Sequence, residues 1–369
     1  MNEIWTTSAW PNFTYDPAQT EGLLAVFSES LGEVKGLHAG LTDQERDEII
    51  LRSFTAEAVS SFAIEGVSLD PTAVQQSIVQ SLSRRALATA SRRSDDVVEM
   101  MQDARDASRP LDAARLCNWH RLLFQKAEVE DLGRWRQFEM VISKNNVAGK
   151  EEVLYSPVPA AEVAQEMADF LDWLNTPASI PNPIRAAIAH IWFESIHPFS
   201  DGNGRIGRAL IEYVFASGTM LPFSLSQQIQ REKQAYYDAL QAGREEGRGV
   251  INATPFVVWF LAALNRALQS SKAEARFLAG RNQFFLSASG KLSERQEGAL
   301  RKIFAQGPNR VSEGLSARAY AKITGVASAT ATRDLTDLAN KQVLFRGDGG
   351  GRSSRYLFEP SETFDQRDA

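Results

Sequence analysis

Residues 197–208, HPFSDGNGRIGR, interrupt the helical pattern of this chain and so fix a point where two helices must meet. Upstream, apolar residues recur every three or four positions, which predicts a helix that ends near His197. Its apolar face comprises Ile184, Ala187, Ile188, Ile191 and Trp192. Downstream of Arg205 the period resumes, and Gly218 is a typical stop signal. The second apolar face comprises Ile206, Leu210, Tyr213 and Val214. The pattern therefore predicts a helix, a tight loop and a second helix.

The start of the second helix has the composition of an anion site. Gly202 and Gly204 permit backbone angles that other residues resist, so successive amide groups can turn toward one centre. The free N–H groups and the dipole of a helix N-terminus favour an anion there. Arg205 and Arg208 are three positions apart, hence on one helix face, and their planar guanidinium groups match phosphate oxygens. We therefore expect this loop to bind phosphate.

Two further residues of the same stretch carry chemistry. Asp201 offers a hard oxygen ligand beside the expected phosphates, which suits Mg2+. His197, at the mouth of the loop, can accept a proton when its imidazole is neutral. A base, an anion site and a metal ligand together indicate a hydroxyl group that attacks a nucleotide phosphate.

The stretch resembles the signature of the Fic family, HPFx(D/E)GNGRxxR, at every defined position. The resemblance implies a mainly helical core that transfers AMP from ATP, with Mg2+, to a hydroxyl group of a protein. It implies that His197 deprotonates this hydroxyl and that Asp201 holds the metal ion. The remaining implied contacts are Asn203 with the amides of Gly202 and Gly204 on the α-phosphate, and Arg205 and Arg208 on the outer phosphates.

A second motif lies upstream, at residues 61–66, SFAIEG. Ser61 and Glu65 are four positions apart on one helix face, and Gly66 is a natural C-terminal cap. The motif resembles the inhibitory sequence of the Fic family, (S/T)xxxE(G/N), in which the glutamate pairs with the second arginine of the signature, here Arg208. An arginine held by a carboxylate is unavailable to the γ-phosphate of ATP. The resemblance therefore implies an enzyme that inhibits itself.

The N-terminal segment is rich in aromatic residues and precedes a helical pattern. Residues 10–16, WPNFTYD, resemble a short module that precedes the core in a subset of Fic proteins. The residues themselves predict an ordered segment that packs on a helix.

Residues 132–158 depart from the helical pattern. Residues 136–142 favour a strand, residues 144–149 a turn and residues 153–155 a second strand. Gly133 and Arg136 resemble the GxxR sequence that opens the flap of Fic proteins, a hairpin whose free edge aligns the target protein. The alternative is a plain connecting hairpin.

Residues 228–248 are predicted to form a helix that contains Tyr236 and Tyr237, and residues 254–270 an apolar helix that closes the core. By resemblance, the first of these helices lies on the base side of the nucleotide. We assign Tyr237 to nucleotide binding, and the alternative for either tyrosine is packing in the core.

The C-terminal segment has its own pattern. Helices are expected at residues 292–306, 316–323 and 328–341, followed by a hairpin with a glycine-rich tip. This order resembles a winged helix-turn-helix. Residues 291–358 carry twelve Lys and Arg against six Asp and Glu, in a chain of net charge −6. Such a basic unit suits DNA phosphates, although winged helices also serve in dimerisation and protein docking.

Length and composition set the outer limits of the interpretation. The 369 residues, with 43% hydrophobic and 23% charged residues, are typical of a globular protein of two or three domains. The predicted fold is mainly α, a Fic-type helical core with a small β-hairpin flap and a winged helix-turn-helix. The predicted domains are residues 1–109, 110–270 and 285–360. We expect no signal peptide and no membrane segment, and a single cysteine, Cys117, indicates the cytoplasm.

Three functions are compatible with the sequence. The first is a self-inhibited adenylyltransferase that modifies a target protein and itself, using ATP and Mg2+. The second is the reverse reaction, removal of AMP from a modified protein, and the third is a DNA-binding regulator that senses a nucleotide. The target protein, the modified residue type, the transferred group and the formation of a homodimer are left open.

Overall fold

Helices dominate this chain, as the sequence predicts. The computed structural model describes residues 3–82, 93–124, 129–145, 151–177, 179–218, 220–247, 249–347 and 355–358. Within these ranges there are fifteen α-helices and eight short strands. The chain divides into two compact units, Met1–Leu31 with Asp43–Leu268, and Gly32–Thr42 with Gln269–Ala369.

In chain order the elements are β1 (Phe13–Thr14), α1 (Pro17–Ala39), α2 (Asp43–Ile64), α3 (Pro71–Leu82), α4 (Arg93–Ala104), α5 (Ala113–Phe124), β2 (Ile142–Asn145), β3 (Glu151–Tyr155), α6 (Val163–Asn175), α7 (Asn182–Ile196), α8 (Asn203–Ala216), α9 (Leu225–Arg231), α10 (Lys233–Ala242), β4 (Glu245–Gly247), β5 (Val250–Asn252), α11 (Thr254–Ser287), α12 (Glu294–Phe304), α13 (Pro308–Ser312), β6 (Leu315–Ser316), α14 (Ala317–Thr324), α15 (Ser328–Asn340), β7 (Phe345–Arg346) and β8 (Arg355–Leu357).

The α7–α8 pair occupies the interior of the first unit. All residues of α7 from Pro183 to Ile196 except Arg185 are buried, so the helix is apolar on nearly every side. The N-terminal aromatic segment covers part of it, with the rings of Trp10 and Trp192 6.4 Å apart in an edge-to-face contact. The prediction of an ordered N-terminal segment packed on a helix is therefore confirmed.

The strand predicted at residues 136–142 is wrong except at its last residue. Strand β2 begins at Ile142 and pairs antiparallel with β3, which includes the predicted strand at 153–155. Residues before Ile142 do not pair because Arg136 directs its backbone N–H to the carbonyl oxygen of Pro198, 2.9 Å away. Of the turn predicted at residues 144–149, residues 144 and 145 belong to β2, and residues 146–149 lie outside the described residues.

The single helix predicted at residues 228–248 is also wrong. Glu232, with φ −116° and ψ 31°, separates α9 from α10, and β4 follows α10. The break coincides with a side-chain contact, since the Glu232 carboxylate accepts a hydrogen bond from Arg266 Nε at 2.6 Å. Strand β4 pairs antiparallel with β5, which in turn pairs parallel with β1.

Helix α11 extends well beyond its predicted end at residue 270. It continues to Ser287, through the stretch expected to lead into the next domain. Lys272 and Arg276, one turn apart on this extension, both form ion pairs with Glu33. These pairs favour continued helix because they hold the charged turn in register.

The second unit contains the predicted C-terminal helices and an unpredicted short helix, α13. Helix α12 begins with a capping box in which Ser293 and Gln296 exchange hydrogen bonds. Gly325, with φ 73°, forms the turn between α14 and α15, where the left-handed backbone favours glycine. Strands β6, β8 and β7 form an antiparallel sheet in that order. Residues 348–354 of the predicted hairpin tip lie outside the described residues.

Across the described ranges, every helix is too short or too polar to span a lipid bilayer.

Candidate active site

The loop between α7 and α8, residues 197–202, starts with a strained residue. His197 ends α7 in the left-handed conformation, with φ 51° and ψ 62°, and its N–H donates to the Phe193 carbonyl oxygen at 2.9 Å. A residue other than glycine rarely adopts this conformation, and such strain is frequent at functional sites. The conformation turns the chain abruptly at the end of the buried helix.

Asn203 closes this loop from within. Its side-chain oxygen accepts from the Phe199 N–H at 2.9 Å, and its side-chain nitrogen donates to the Phe199 carbonyl at 2.8 Å. Both ends of the amide thus hold the Phe199 backbone, and Asn203 has its backbone N–H and the second N–H of the side-chain amide left for a phosphate. Gly202, with φ 80°, lies against Phe124, and a Cβ atom there would be 2.8 Å from the ring.

Arg136 holds the same loop from the opposite side. It is fully buried, and its guanidinium group donates to the carbonyl oxygens of His197 at 2.9 Å and Phe138 at 3.0 Å. Burial lowers the pKa of Arg136 below its ordinary value. The sequence placed Arg136 in a flap motif, but its contact with the His197 backbone was not predicted.

The His197 side chain is mostly enclosed. Its Nδ1 atom has no hydrogen-bond partner and lies 3.6 Å from Oε2 of Glu194, which is buried one turn earlier on α7. Burial alone would raise the pKa of Glu194, but His197, His190 and Arg244 together lower it to about 2. Sequence reasoning missed Glu194, and the available signal was an acid on an otherwise apolar helix, three residues before the histidine.

Arg205 and Asp201 contact each other at the first turn of α8. Nη2 of Arg205 lies 3.2 Å from Oδ1 of Asp201, which also accepts from the Gly202 N–H. The Arg205 guanidinium lies between the rings of Phe62 and Phe124, 5.3 and 4.8 Å from their centroids. Its Nε atom is buried and has no partner. Burial lowers the pKa of Arg205, so the site holds a desolvated cation.

Arg208 contacts the end of α2, as the inhibitory motif predicts. Its Nε donates to Ser61 Oγ at 3.0 Å, and its Nη2 donates to the Ser61 carbonyl oxygen at 2.7 Å. The same Nη2 forms an ion pair with Oε1 of Glu65 at 2.9 Å. Nη1 of Arg208 is buried without a partner. Nη1 of this guanidinium group therefore has no acceptor while Glu65 is paired with Nη2.

The Glu65 carboxylate lies directly against the N-terminus of α8. A Cβ atom on Gly204 would be 2.5 Å from Glu65 Oε1, so a side chain at this position would displace the carboxylate. The first backbone hydrogen bond of α8 runs from Ile206 N–H to Gly202 C=O, so the N–H groups of residues 203–205 have no partner within the helix. The carboxylate occupies the place where the sequence predicts an anion.

Helix α2 is anchored beside the site by contacts that the sequence did not reveal. Glu57, buried on α2, accepts hydrogen bonds from Ser224 Oγ at 2.8 Å and from the Ser226 N–H at 2.9 Å. Lys233 Nζ donates to the Ile64 carbonyl oxygen at the end of the same helix. These contacts fix the position of the C-terminal end of α2, and hence the point at which Glu65 contacts α8.

The two tyrosines of α10 have different environments. Tyr236 is buried, and its hydroxyl group lies 2.7 Å from Nε2 of the buried His190. Tyr237 is exposed, and the Lys233 ammonium group lies 6.0 Å from the centre of its ring. Only Tyr237 offers an aromatic face to a ligand, so Tyr236 follows the alternative of core packing.

A metal site is not built by protein ligands alone. Among the described residues, no group of three or more His, Cys, Asp or Glu side chains is arranged to hold a metal ion. Asp201 offers one mostly exposed carboxylate. This donor set fits Mg2+, which typically binds through one or two carboxylates together with substrate phosphates and water.

Two family models match separate parts of the chain. Residues 110–215 match the Fic/DOC family, and residues 4–83 match a domain of unknown function, DUF4172. The second match covers the N-terminal segment and α2, including Ser61 and Glu65.

Named relatives match a limited part of the chain. Protein adenylyltransferase fic-1 of Caenorhabditis briggsae is 32% identical over 123 residues, which are 33% of this chain and 22% of that protein. A probable protein adenylyltransferase of Aquifex aeolicus (strain VF5) is 33% identical over 97 residues, 26% of this chain and 28% of that protein. The chain therefore spans less than a third of the curated relatives that it matches here.

A solved structure matches more of the chain. A crystal structure of a Fic family protein from Desulfovibrio desulfuricans G20 covers 95% of this chain and 98% of its own, with a TM-score of 0.53 and 23% identity. At this identity the likeness concerns the fold.

Proposed function

From the premise that this chain is a Fic/DOC family protein, we propose that it is a self-inhibited protein adenylyltransferase. It transfers AMP from ATP to a hydroxyl side chain of a target protein and to itself. One observation carries the proposal. The Glu65 carboxylate lies against Gly204 and 2.9 Å from Arg208 Nη2, at the N-terminus of α8. The Glu65 carboxylate thus occupies an anion site formed by the N-terminus of α8 and Arg208. It comes from the end of α2, in the same chain.

The surplus of donors around this anion supports a ligand with more charge than one carboxylate. Arg205 Nε and Arg208 Nη1 are buried and unpartnered while Glu65 is in place. Buried donors are rarely left unpaired in folded proteins, and a polyphosphate would supply the missing acceptors. We assign Arg205 and Arg208 to the outer phosphates, and the N–H groups of residues 202–204 to the α-phosphate.

In this mechanism His197 is the base. The hydroxyl oxygen of the target attacks the α-phosphorus of ATP and forms an O–P bond, while the bond between the α-phosphorus and the bridging oxygen to the β-phosphate breaks. The proton moves to Nε2 of His197, and pyrophosphate leaves. Asp201 would hold Mg2+, which would neutralise phosphate charge. We assign the exposed Tyr237 ring to contact with the adenine ring.

Inhibition follows from competition for Arg208. A bidentate contact between this arginine and the γ-phosphate requires that Nη2 leave Glu65. Until it does, the triphosphate lacks one cation and the α-phosphate is not aligned for attack. Removing the Glu65 side chain releases the contact of Nη2 with the carboxylate, while Nη2 still donates to the Ser61 carbonyl oxygen, and it vacates the space beside Gly204.

The target protein would dock on the flap, residues 132–158. Three apolar side chains are exposed along its first part, Leu132, Phe138 and Val141. Main-chain pairing to the edge of β2 or β3 would place a hydroxyl group with little demand on the target sequence.

Labelled ATP tests the proposal. Glu65→Gly should raise self-labelling strongly over the native chain, and Glu65→Gly with His197→Ala should abolish it. Glu48→Gly, at an exposed acid of the same helix, is the matched control and should label like the native chain. Intact-mass measurement distinguishes AMP from phosphate or another transferred group. Labelling of the double variant as strong as that of Glu65→Gly would contradict the assignment of the base.

A second candidate function rests on the C-terminal unit, which we interpret as a winged helix-turn-helix that binds DNA. Of the acids of α15, Asp334 is buried and pairs with Arg295, whereas Asp337, whose side chain is 42% exposed, pairs with Lys341. The exposed positions of the first two turns of α15 are small or basic, namely Ser328, Ala329, Thr332 and Arg333. A helix face without acids can approach phosphates and base edges.

Fluorescence anisotropy with labelled duplex DNA tests this function on the full chain. The affinity for DNA should fall steeply as the salt concentration rises, and Arg333→Glu should lower this affinity at every salt concentration. Absence of DNA binding at about 50 mM salt, where phosphate contacts are strong, would exclude DNA as the partner.

A further inference from the structure

A buried carboxylate, Glu194, lies behind the proposed base. It is on α7, one turn before His197, and its side chain is 8% exposed. Its Oε2 atom is 3.6 Å from His197 Nδ1, and its other oxygen, Oε1, is buried without a partner. His197 Nδ1 is also buried and unpartnered. An acceptor and a potential donor therefore face each other across a short gap in a dry part of the site.

The backbone on both sides fixes this pair. Arg136 holds the His197 carbonyl oxygen, and the left-handed turn at His197 sets the direction of its side chain. On the other side, a Cβ atom on Gly207 would be 2.8 Å from Glu194 Oε1, so α8 confines the carboxylate.

The surroundings keep Glu194 ionised. His190 and Arg244 join His197 in favouring its negative charge. Arg208, Tyr236 and Tyr237 are the further titratable groups that interact with it. A carboxylate in this position accepts a hydrogen bond from a protonated ring nitrogen. It therefore favours the tautomer of the neutral imidazole that carries its proton on Nδ1.

We propose that Glu194 is a positioning residue for His197, which holds the imidazole in the Nδ1–H tautomer and leaves Nε2 free to take the proton of the target hydroxyl. When Nε2 accepts this proton, the carboxylate stabilises the imidazolium. The expected effect of Glu194 on the rate of AMP transfer rests on the proposed function. The tautomer of His197 does not, because it is a property of the protein without substrate.

Nitrogen NMR of the full chain labelled with 15N-histidine tests the tautomer directly. The chain has four histidines, at positions 38, 120, 190 and 197, and the His197→Ala spectrum assigns the signals of interest. In the native protein at alkaline pH, Nδ1 of His197 should be protonated and Nε2 should not. Glu194→Gln should reverse or mix the tautomers because an amide N–H can donate to Nδ1. A native His197 with its proton on Nε2 would overturn the proposal even if the variant did not fold.

The matched control is Glu212→Gln. Glu212 is another buried glutamate, on α8, but its charged partner is Arg105, whose Nε lies 2.7 Å from Oε2. This variant should leave the His197 tautomer as in the native protein. If Glu212→Gln and Glu194→Gln changed the His197 signals alike, the effect would be general and not positional, which would refute the proposal.

Kinetics in the Glu65→Gly background supply the second readout. Adding Glu194→Gln should lower kcat for AMP transfer by roughly 100-fold, the scale of general-base assistance, with the KM for ATP changed less than about twofold. Adding Glu194→Asp should recover part of kcat. A rise in KM with kcat intact would contradict a positioning role. Absence of AMP transfer by Glu65→Gly itself would refute the proposed function, and the NMR result would still decide the role of Glu194.

Discussion

The α7–α8 loop and the α14–α15 pair bury charged groups in opposite ways. At the loop, His197, Arg205 and Arg208 each keep a buried nitrogen without a partner. In the second region, buried Asp334 accepts from Arg295 at 2.8 and 3.0 Å and from Tyr320 at 3.0 Å. Among the described residues of the segment 269–358, every buried side-chain polar atom has a partner. The first pattern is typical of a ligand site and the second of a cluster that holds a fold together.

The comparison predicts that charge at the loop serves function more than stability. Arg205→Met keeps an unbranched side chain between Phe62 and Phe124 but removes the buried cation. In the Glu65→Gly background, AMP transfer should fall by at least about 100-fold, as when one charge-stabilising donor is lost. The free energy of unfolding should change by less than about 1 kcal/mol, because the ion pair of the buried Arg205 with the mostly exposed Asp201 contributes little net stability. Urea unfolding and labelling measure both, and a large loss of stability would break the comparison.

Removing a satisfied acid from the second region should have the reverse effect. Asp334→Ala leaves the buried Tyr320 hydroxyl without an acceptor, which costs about 2 kcal/mol. Hydrogen exchange of peptides from α14 and α15 should accelerate, while AMP transfer by the Glu65→Gly background should not change. Glu297→Ala, which breaks an exposed pair with Arg301, is the control and should have little effect on either measurement. Unchanged exchange in Asp334→Ala would show that the cluster is dispensable.

The two regions should also differ in their response to acid. Burial lowers the pKa of His120 from 6.5 to about 4, so the unfolded chain binds a proton that the folded chain excludes. Stability should therefore be complete above pH 6.5 and should fall by about 2 kcal/mol between pH 7 and 5. His120→Gln should flatten this slope only partly. Buried His190, whose pKa is also lowered, acts in the same direction and would keep the rest of the slope. The segment 269–369 has no histidine and contributes nothing in this range.

Tryptophan fluorescence isolates this effect. All seven tryptophans lie within residues 5–259, so their fluorescence reports the first unit. A pH slope unchanged by His120→Gln would contradict the buried neutral imidazole.

The smallest expected effect concerns the inhibitory contact. Glu65→Gln weakens the pair with Arg208, but the Glu65 side chain is 30% exposed, so water screens the interaction. We expect a loss of about 1 kcal/mol in the free energy of unfolding. Glu48→Gln, without this partner, should lose less. Equal losses in urea unfolding would show that the contact inhibits without stabilising.

The sequence predicted the residues of the site better than the residues that hold them in place. The helix–loop–helix follows from local spacing, because the apolar period is carried by residues close in sequence. The pairing of Glu65 with Arg208 was implied by the resemblance to the inhibitory motif of the Fic family. Arg136 and Glu57 act through partners far along the chain, and no local pattern reveals such contacts. Glu194 is local to His197, but a helical period shows which face is buried and not which polar group is tolerated there.

Errors in the predicted elements have the same origin. The strand over residues 136–142 and the helix over residues 228–248 have suitable local propensities, but distant hydrogen bonds override them. The long α11 shows the converse, since a polar stretch that favoured a linker remains helical when its lysine and arginine meet Glu33.

Because Glu65 is tethered to the arginine that it occupies, it acts at a fixed effective concentration that dilution of the protein does not change. An external inhibitor would dissociate as its concentration fell, whereas the carboxylate that we propose as the inhibitor is part of the chain. Under the proposed function, inhibition is therefore a property of a single molecule. Its release depends on how much nucleotide competes, or on any force that draws the end of α2 away from Gly204.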